Sequence, residues 1–383
     1  MFSRIKGFLN RHKRKFIVGG VVLGATIFLT RYTQRKLREW QEKEVRELLE
    51  RSKRKQFFED TERACNQLLL TLSKQLRESI VKTLDTEAIV KQLRTGRIDK
   101  ISSWNKLKVI AITRSAAVIY SHVMLVLLIR IQFNIVGGYM FKDSQNCNEI
   151  KTIEAVQQKY MSLCSYFMEN GVKELCSLIQ EKVKEITASM SLKDELTLRD
   201  LEQIYWSIMS SLSIDNFRDP IKNIARYVLL VDPNQIMVNE NTTLSKMING
   251  TLDVLENEEV QNITQSIISS GFTLLIDHIA EFFKGIPIGN NGTRKTNGFS
   301  IPGTSEQSDA WSKTEAQYNR FLTNDLPDVM KATMPVAKII PIINGQVPDS
   351  PTMGDVPTEW MQSLILNKEL KTLGANVYET FSF

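Results

Sequence analysis

The sequence predicts an all-α protein: one large elongated helical bundle with a long central buried helix, preceded by a single N-terminal transmembrane helix. Three observations predict it. Apolar residues recur at three- and four-residue spacing along most of the 383-residue chain, the period of a helix with one buried face. Neither sustained period-two alternation nor strand–helix alternation is present, which argues against a sheet. The chain also opens with a basic segment, an apolar stretch and a second basic segment.

The first basic segment, residues 1–15, holds Arg4, Lys6, Arg11, Lys13, Arg14 and Lys15, and the apolar stretch runs from Phe16 to Thr30. At about fifteen residues it is shorter than the roughly 17–25 of a comfortable span. Flanking cations extend it by snorkelling to the headgroups. A cleaved signal would end in small residues, whereas Arg31, Tyr32, Arg35 and Lys36 follow. A buried core helix fits the length but not the cations at both ends. The anchor reading accounts for both, with Arg11, Lys13, Arg14 and Lys15 as targeting and headgroup contacts on lipid. Gly20 and Gly24 have the small-xxx-small spacing that lets helices pack closely in lipid, so self-association through this helix is one reading of it. Both flanks are basic, so charge gives no orientation.

Residues 31–58 are dense in Arg, Lys, Glu and Gln at three- to four-residue spacing, which predicts a charged, exposed juxtamembrane helix. The body, 59–383, follows. Leu68, Leu69, Leu72, Leu76, Ile80 and Leu84 form one apolar face. Asp85 or Thr86 caps the next helix, which carries Ile89, Val90 and Leu93, and Thr95-Gly96-Arg97 links it to Trp104. Between Arg114 and Arg130 lie fifteen residues broken only by Ser115, Ser121 and His122. Hydropathy alone leaves two readings: a central helix buried by other helices, or a second span. Helical spacing resumes from Val156 to Ile186 and as one run from Ile248 to Phe282. Residues 285–312 are rich in Gly, Asn, Ser, Thr and Pro and predict a long flexible loop. A helix is expected near 316–329, Pro335 and Pro341 bracket a short apolar run, and 358–383 reads as a final helical pair.

The net charge of +6 is concentrated at the front, where it suits anionic lipid rather than the nucleic acid a basic folded body would imply. Cys65, Cys147, Cys164 and Cys176 lack CxxC spacing and read as reduced thiols of a cytosolic body. Cys164 and Cys176 are expected on one helix, too far apart for a bridge. The N-x-T sequons at Asn241, Asn249, Asn262 and Asn291 would matter only if the chain travelled through the endoplasmic reticulum. His12, His122 and His278 are far apart and none has ligand spacing; there is no P-loop, no GxSxG and no dinucleotide fingerprint. No enzyme, metal or cofactor is expected.

The candidate binding surface centres on Trp104, within Asp99-Lys100-Ile101-Ser102-Ser103-Trp104-Asn105-Lys106-Leu107-Lys108. A half-buried tryptophan closing a helix corner is one reading. The other is a groove lined by Leu93, Trp104 and Leu107 with Arg94 and Lys100 as a cationic rim, suited to an acidic amphipathic helix.

Several stretches resemble the peroxin-3 family: Phe8-Leu9-Asn10-Arg11-His12-Lys13-Arg14-Lys15, Thr113-Arg114-Ser115, Gln132-Phe133-Asn134-Ile135-Val136-Gly137-Gly138-Tyr139, Ser191-Leu192-Lys193, Asp200-Leu201-Glu202-Gln203, the run Ala337 to Gln346, and Ala375-Asn376-Val377-Tyr378-Glu379. No single motif is diagnostic; their order and spacing along the whole chain carry the likeness. The resemblance implies a peroxisomal membrane docking factor with its N-terminus in the matrix and a helical body in the cytosol. That body would bind the N-terminal helix of the import receptor peroxin-19 and enable insertion of peroxisomal membrane proteins. The groove carries over as Leu93, Lys100, Trp104 and Leu107, with Arg94 where a lysine is usual in the family, and Leu192 and Lys338 at its border. It also implies that the second apolar run is the core helix of the body. The alternative function is a membrane tether or adaptor recruiting organelle-inheritance or turnover machinery. Residues 206–245 and 285–312 depart most from the family.

Overall fold

The computed structural model describes residues 13–95, 99–145, 150–229, 242–284, 331–352 and 354–382. The described elements are helices apart from two short strands. They are α1 (Lys13–Thr83), α2 (Glu87–Thr95), α3 (Lys100–Gln145), α4 (Ile150–Met161), α5 (Val172–Ile186), β1 (Glu195–Leu196), α6 (Leu198–Ile214), α7 (Ile224–Val228), α8 (Thr243–Glu256), α9 (Glu258–Ala280), β2 (Met334–Pro335), α10 (Val336–Gln346), α11 (Val356–Leu366) and α12 (Lys368–Ser382). Contacts divide the chain into two compact units, Met1–Asp60 and Thr61–Phe383.

In the first unit the backbone is helical from Lys13 onward, which includes the expected anchor; the side chains of 13–30 lie outside the described residues. Every residue from 31 to 53 is exposed, as a helix dense in both signs of charge requires. Arg35 and Lys36 pair with Glu39 at 3.4 and 4.0 Å, and Lys55 with Glu59 at 4.0 Å. Such exposed pairs contribute a few tenths of a kcal/mol each.

The second unit is built round α3. From Ala111 to Gln132 every residue is buried, and 94% of its most apolar window lies inside the protein. Helices α2, α4, α5, α7, α8, α9, α10, α11 and α12 all pack on it. The second apolar run is therefore the core of a helical body: other helices supply the apolar surroundings that lipid would otherwise supply. The final turns of α1 cover one side with Cys65, Leu69, Leu76 and Ile80, the periodic face read from sequence.

Arg114 and Arg130, which bound the apolar run, are each 1% exposed and internally paired. Arg114 donates to Thr86 Oγ1 (2.7 Å) and pairs with Asp349. Arg130 lies 3.5 Å from Glu62 and donates to Asn66 Oδ1 at 3.2 Å. Asn134 donates to Glu62 Oε1 (3.0 Å) and to the Arg130 carbonyl (2.8 Å). This cluster meets α12 at Gly374, where a Cβ would lie 2.8 Å from Asn134 Nδ2. Farther along, a Cβ on Gly138 would lie 2.8 Å from the backbone of Phe381, so α3 and α12 approach closely because both carry glycine at the contact.

Three local expectations change. The stretch holding Cys164 and Cys176 contains a π turn, Phe167–Gly171. A Cβ on Gly171 would overlap the Tyr227 carbonyl, so the turn is where α7 packs closest. The run from Ile248 to Phe282 breaks at Asn257, whose side chain accepts from Glu259 N at 2.8 Å and starts α9, as a capping asparagine does; Phe282 is exposed. Pro341 lies inside α10 rather than at its end. Cys65, Cys164 and Cys176 are free thiols, and burial pushes Cys65 and Cys176 up to about 12. Arg11, Cys147, the sequons at Asn241 and Asn291, the 285–312 loop and the helix near 316–329 lie outside the described residues. Asn249 and Asn262 sit on α8 and α9.

Candidate functional site

The candidate surface is assembled at the N-terminal end of α3. Asp99 starts the helix: its Oδ1 accepts from Ile101 N (3.0 Å) and its carbonyl from Ser103 N (3.1 Å). Trp104 follows on the second turn, half-buried and packed against the edge of the core. Leu107 is 3% exposed, so it supports the surface from within the core rather than forming open lining. Lys100 is exposed.

One flank is α2. Asp85 Oδ1 accepts from Ala88 N at 3.1 Å, as one of the two caps expected there. Ile89 is buried, Leu93 half-buried against the core and Arg94 exposed. The corner before α2 is fixed to α3 through the Arg114–Thr86 bond.

The other flank comes from a distant part of the chain. Lys108 lies four residues after Trp104 and therefore on the same helical face. It is 4% exposed, and its Nζ donates to the carbonyls of Thr187 (2.9 Å) and Met190 (2.6 Å). Thr187 caps the last turn of α5, where a helix end favours a cation, and its carbonyl also accepts from Met190 N at 3.2 Å. Burial lowers the Lys108 ammonium below its usual range, against the opposing charge of Asp194. Asp194 Oδ2 in turn accepts from Ser191 N at 2.8 Å. The turn then joins the C-terminal part of the chain. Leu192 O accepts from Ala337 N (3.1 Å), Asp194 O from Val336 N (2.9 Å), and β1 pairs antiparallel with β2. Leu192 is half-buried, and Lys338, next to the residue bonded to Leu192, is exposed.

The contacts thus tie Trp104 and Leu107 to Leu192 and Lys338 through Lys108 and the two-stranded ladder, while Leu93 and Arg94 arrive on α2. Arg94, Lys100 and Lys338 form no ion pair among the described residues. Chemically these are a half-buried aromatic and half-buried aliphatics at the edge of the core, with those exposed cations on α2, α3 and α10. The side chains of Lys13, Arg14 and Lys15 lie outside the described residues, as does Arg11. Sequence reading missed Lys108 and Arg114 as the groups that tie each flank to α3, because a lysine among Lys100, Lys106 and Lys108 carries no mark of being the buried one. Among the described residues no cluster of three or more His, Cys, Asp or Glu could hold a metal ion.

The architecture defines a class: an all-helical body built round one apolar core helix, with the corner before α2 and the turn after α5 hydrogen-bonded to that helix. The peroxin-3 family pattern matches residues 7–103, 97–144 and 139–380, and the chain belongs to the peroxin-3 family. It is 33% identical over 400 residues to peroxisomal biogenesis factor 3 of Bos taurus, covering 100% of this chain and 98% of the relative. It is 32% identical to the Homo sapiens protein of the same name with the same coverage. A more distant likeness, 25% over 353 residues, is to peroxisome biogenesis protein 3-1 of Arabidopsis thaliana, covering 85% of this chain.

Proposed function

We propose that this chain is a non-enzymatic docking factor in peroxisome biogenesis. It is held in the peroxisomal membrane by Phe16 to Thr30, and its helical body captures the N-terminal amphipathic helix of the import receptor peroxin-19. Capture brings cargo membrane proteins to the bilayer for insertion. Trp104 supplies the apolar anchor, Leu93 and Leu192 flank it, and Arg94, Lys100 and Lys338 attract acidic residues of the incoming helix. The observation that carries this reading is the half-buried Trp104 at the end of an otherwise buried helix, with unpaired exposed cations on the segments around it. A solvent-facing polar corner would need no such tryptophan.

The test is a titration of the full-length protein, in detergent, with a peptide of the peroxin-19 N-terminal helix. Trp104→Ala is expected to weaken binding by about thirtyfold, the ~2 kcal/mol of an interface hot spot, with helicity and melting retained. Undiminished affinity removes the groove. Loss of folding makes Trp104 a core residue instead.

A further inference from the structure

We infer that Lys108 is the positioning residue of this docking surface: without touching the partner, it holds the flank that carries Leu192 in register with Trp104. The inference rests on the docking reading above and adds to it the group that shapes the groove.

The geometry argues it as follows. The segment from Thr187 to Asp194 has no helix of its own between the end of α5 and β1. Among the described residues, its hydrogen bonds to α3 run through one side chain, while Met190 and Leu192 add apolar packing against the core. Lys108 Nζ reaches two of its carbonyls, Thr187 O at 2.9 Å and Met190 O at 2.6 Å, from a position 4% exposed. The remaining described backbone bonds of the segment run within itself, back to the last turn of α5 at Val183 and Glu185, or to α10 and its approach, at Val336 and Ala337. Lys108 is therefore the described hydrogen-bond link between the tryptophan's helix and the segment bearing Leu192 and, through the ladder, Lys338. A buried ammonium is costly unless its donors are used, and here they are used on backbone carbonyls rather than on a carboxylate. Such bonds fix where a backbone lies. An ion pair with a surface acid would leave the turn free to shift. Because Trp104 and Lys108 share one face of α3, a shift of the turn changes the spacing between the anchor and Leu192.

A lysine that merely stabilised the body would act on binding independently of Leu192. A positioning lysine acts through it. The experiment is a double-mutant cycle in the full-length protein with the same peroxin-19 peptide, together with hydrogen–deuterium exchange of the free protein. Lys108→Met, close in shape and without charge or donors, is expected to raise amide exchange across 187–196 while α3, α8 and α12 keep theirs. It is also expected to weaken the peptide about tenfold, or ~1.4 kcal/mol, through faster release. In the Leu192→Ala background the same change is expected to alter affinity less than twofold, the non-additivity of residues acting as one unit. Additive losses, or unchanged exchange across 187–196, overturn the inference. Failure of the docking reading gives a different pattern: Trp104→Ala binds the peptide unchanged, and the exchange result still decides whether Lys108 holds the turn. Should Lys108→Met not fold, Lys108→Arg carries the same cycle. A planar guanidinium in a pocket fitted to a compact ammonium displaces the turn and is expected to give a smaller loss with the same dependence on Leu192. A loss independent of Leu192 overturns the inference there too.

Discussion

At the scale of single residues, α3 carries many of the buried polar groups of this protein, some bonded to other elements and some to carbonyls of α3 itself. His122 is the informative case. It is 1% exposed, and its Nδ1 lies 2.7 Å from the Val118 carbonyl, to which it donates. Burial dominates its titration and pulls it down to about 4, with the nearby Arg77 lowering it and the Val118 bond and Asp355 opposing. The histidine is neutral in the folded state at pH 7, while in the unfolded chain it takes up a proton near pH 6.5. The unfolded state therefore binds more protons between pH 6.5 and 4, and stability falls as pH is lowered through that window, by on the order of 3 kcal/mol. Thermal melting followed from pH 7 to 4 should show this slope, and His122→Met should flatten it; an unchanged slope would assign the acid sensitivity to other groups. Asp355 adds its loss at lower pH. Burial raises its carboxyl, but bonds from Thr358, Thr352 and Arg77 outweigh that and hold it below the usual range, so its contribution disappears only as pH falls through that depressed value.

At the scale of elements, what was legible in the sequence was what a 3.6-residue period encodes. The face Leu69–Leu76–Ile80–Leu84, the cap at Asp85 and the closing pair α11–α12 were all readable because each is a local pattern. What was not legible depends on a neighbour distant in sequence. The π turn at Phe167–Gly171 exists where Tyr227 approaches, and nothing near residue 171 announces residue 227. Likewise Arg114 and Arg130 look like the charged ends of a span, and only the presence of Asp349 and Glu62 makes them interior. Of the candidate site, Trp104 could be singled out as an aromatic among polar neighbours, whereas its support by Lys108 could not. The glycines make the same point in testable form. Gly138 meets the backbone of α12, whereas Gly345 on α10 has nothing within 4 Å of where a Cβ would stand. Gly138→Ala should destabilise the protein by about 1–3 kcal/mol through overpacking. Gly345→Ala should stabilise it by up to ~1 kcal/mol through helix propensity. Denaturant midpoints that move the same way for both would refute the close α3–α12 contact as the cause.

At the scale of the whole molecule, two stretches are apolar enough to invite a membrane reading, and their surroundings separate them. Phe16 to Thr30 lies between dense cations, while α3 lies inside a shell of other helices. Removing residues 1–33 should therefore release the rest of the chain into the soluble fraction on alkaline carbonate extraction; a pelleted body would mean that α3 also enters lipid. The same burial has a consequence for the order in which the chain is made. The helix at the centre leaves the ribosome early, whereas α10, α11 and α12, which pack along it, are encoded in roughly the last fifty residues. Until those three are made, the face of α3 that they cover stays open, on an apolar segment long enough to span a bilayer. The protein must pass through a stage in which its own core resembles a signal for insertion, and a chain halted at Leu366, before α12, should pellet with membranes in that extraction even without residues 1–33. Escape from premature insertion is then a matter of timing, decided by how soon the final helix closes over a segment made some 220 residues earlier.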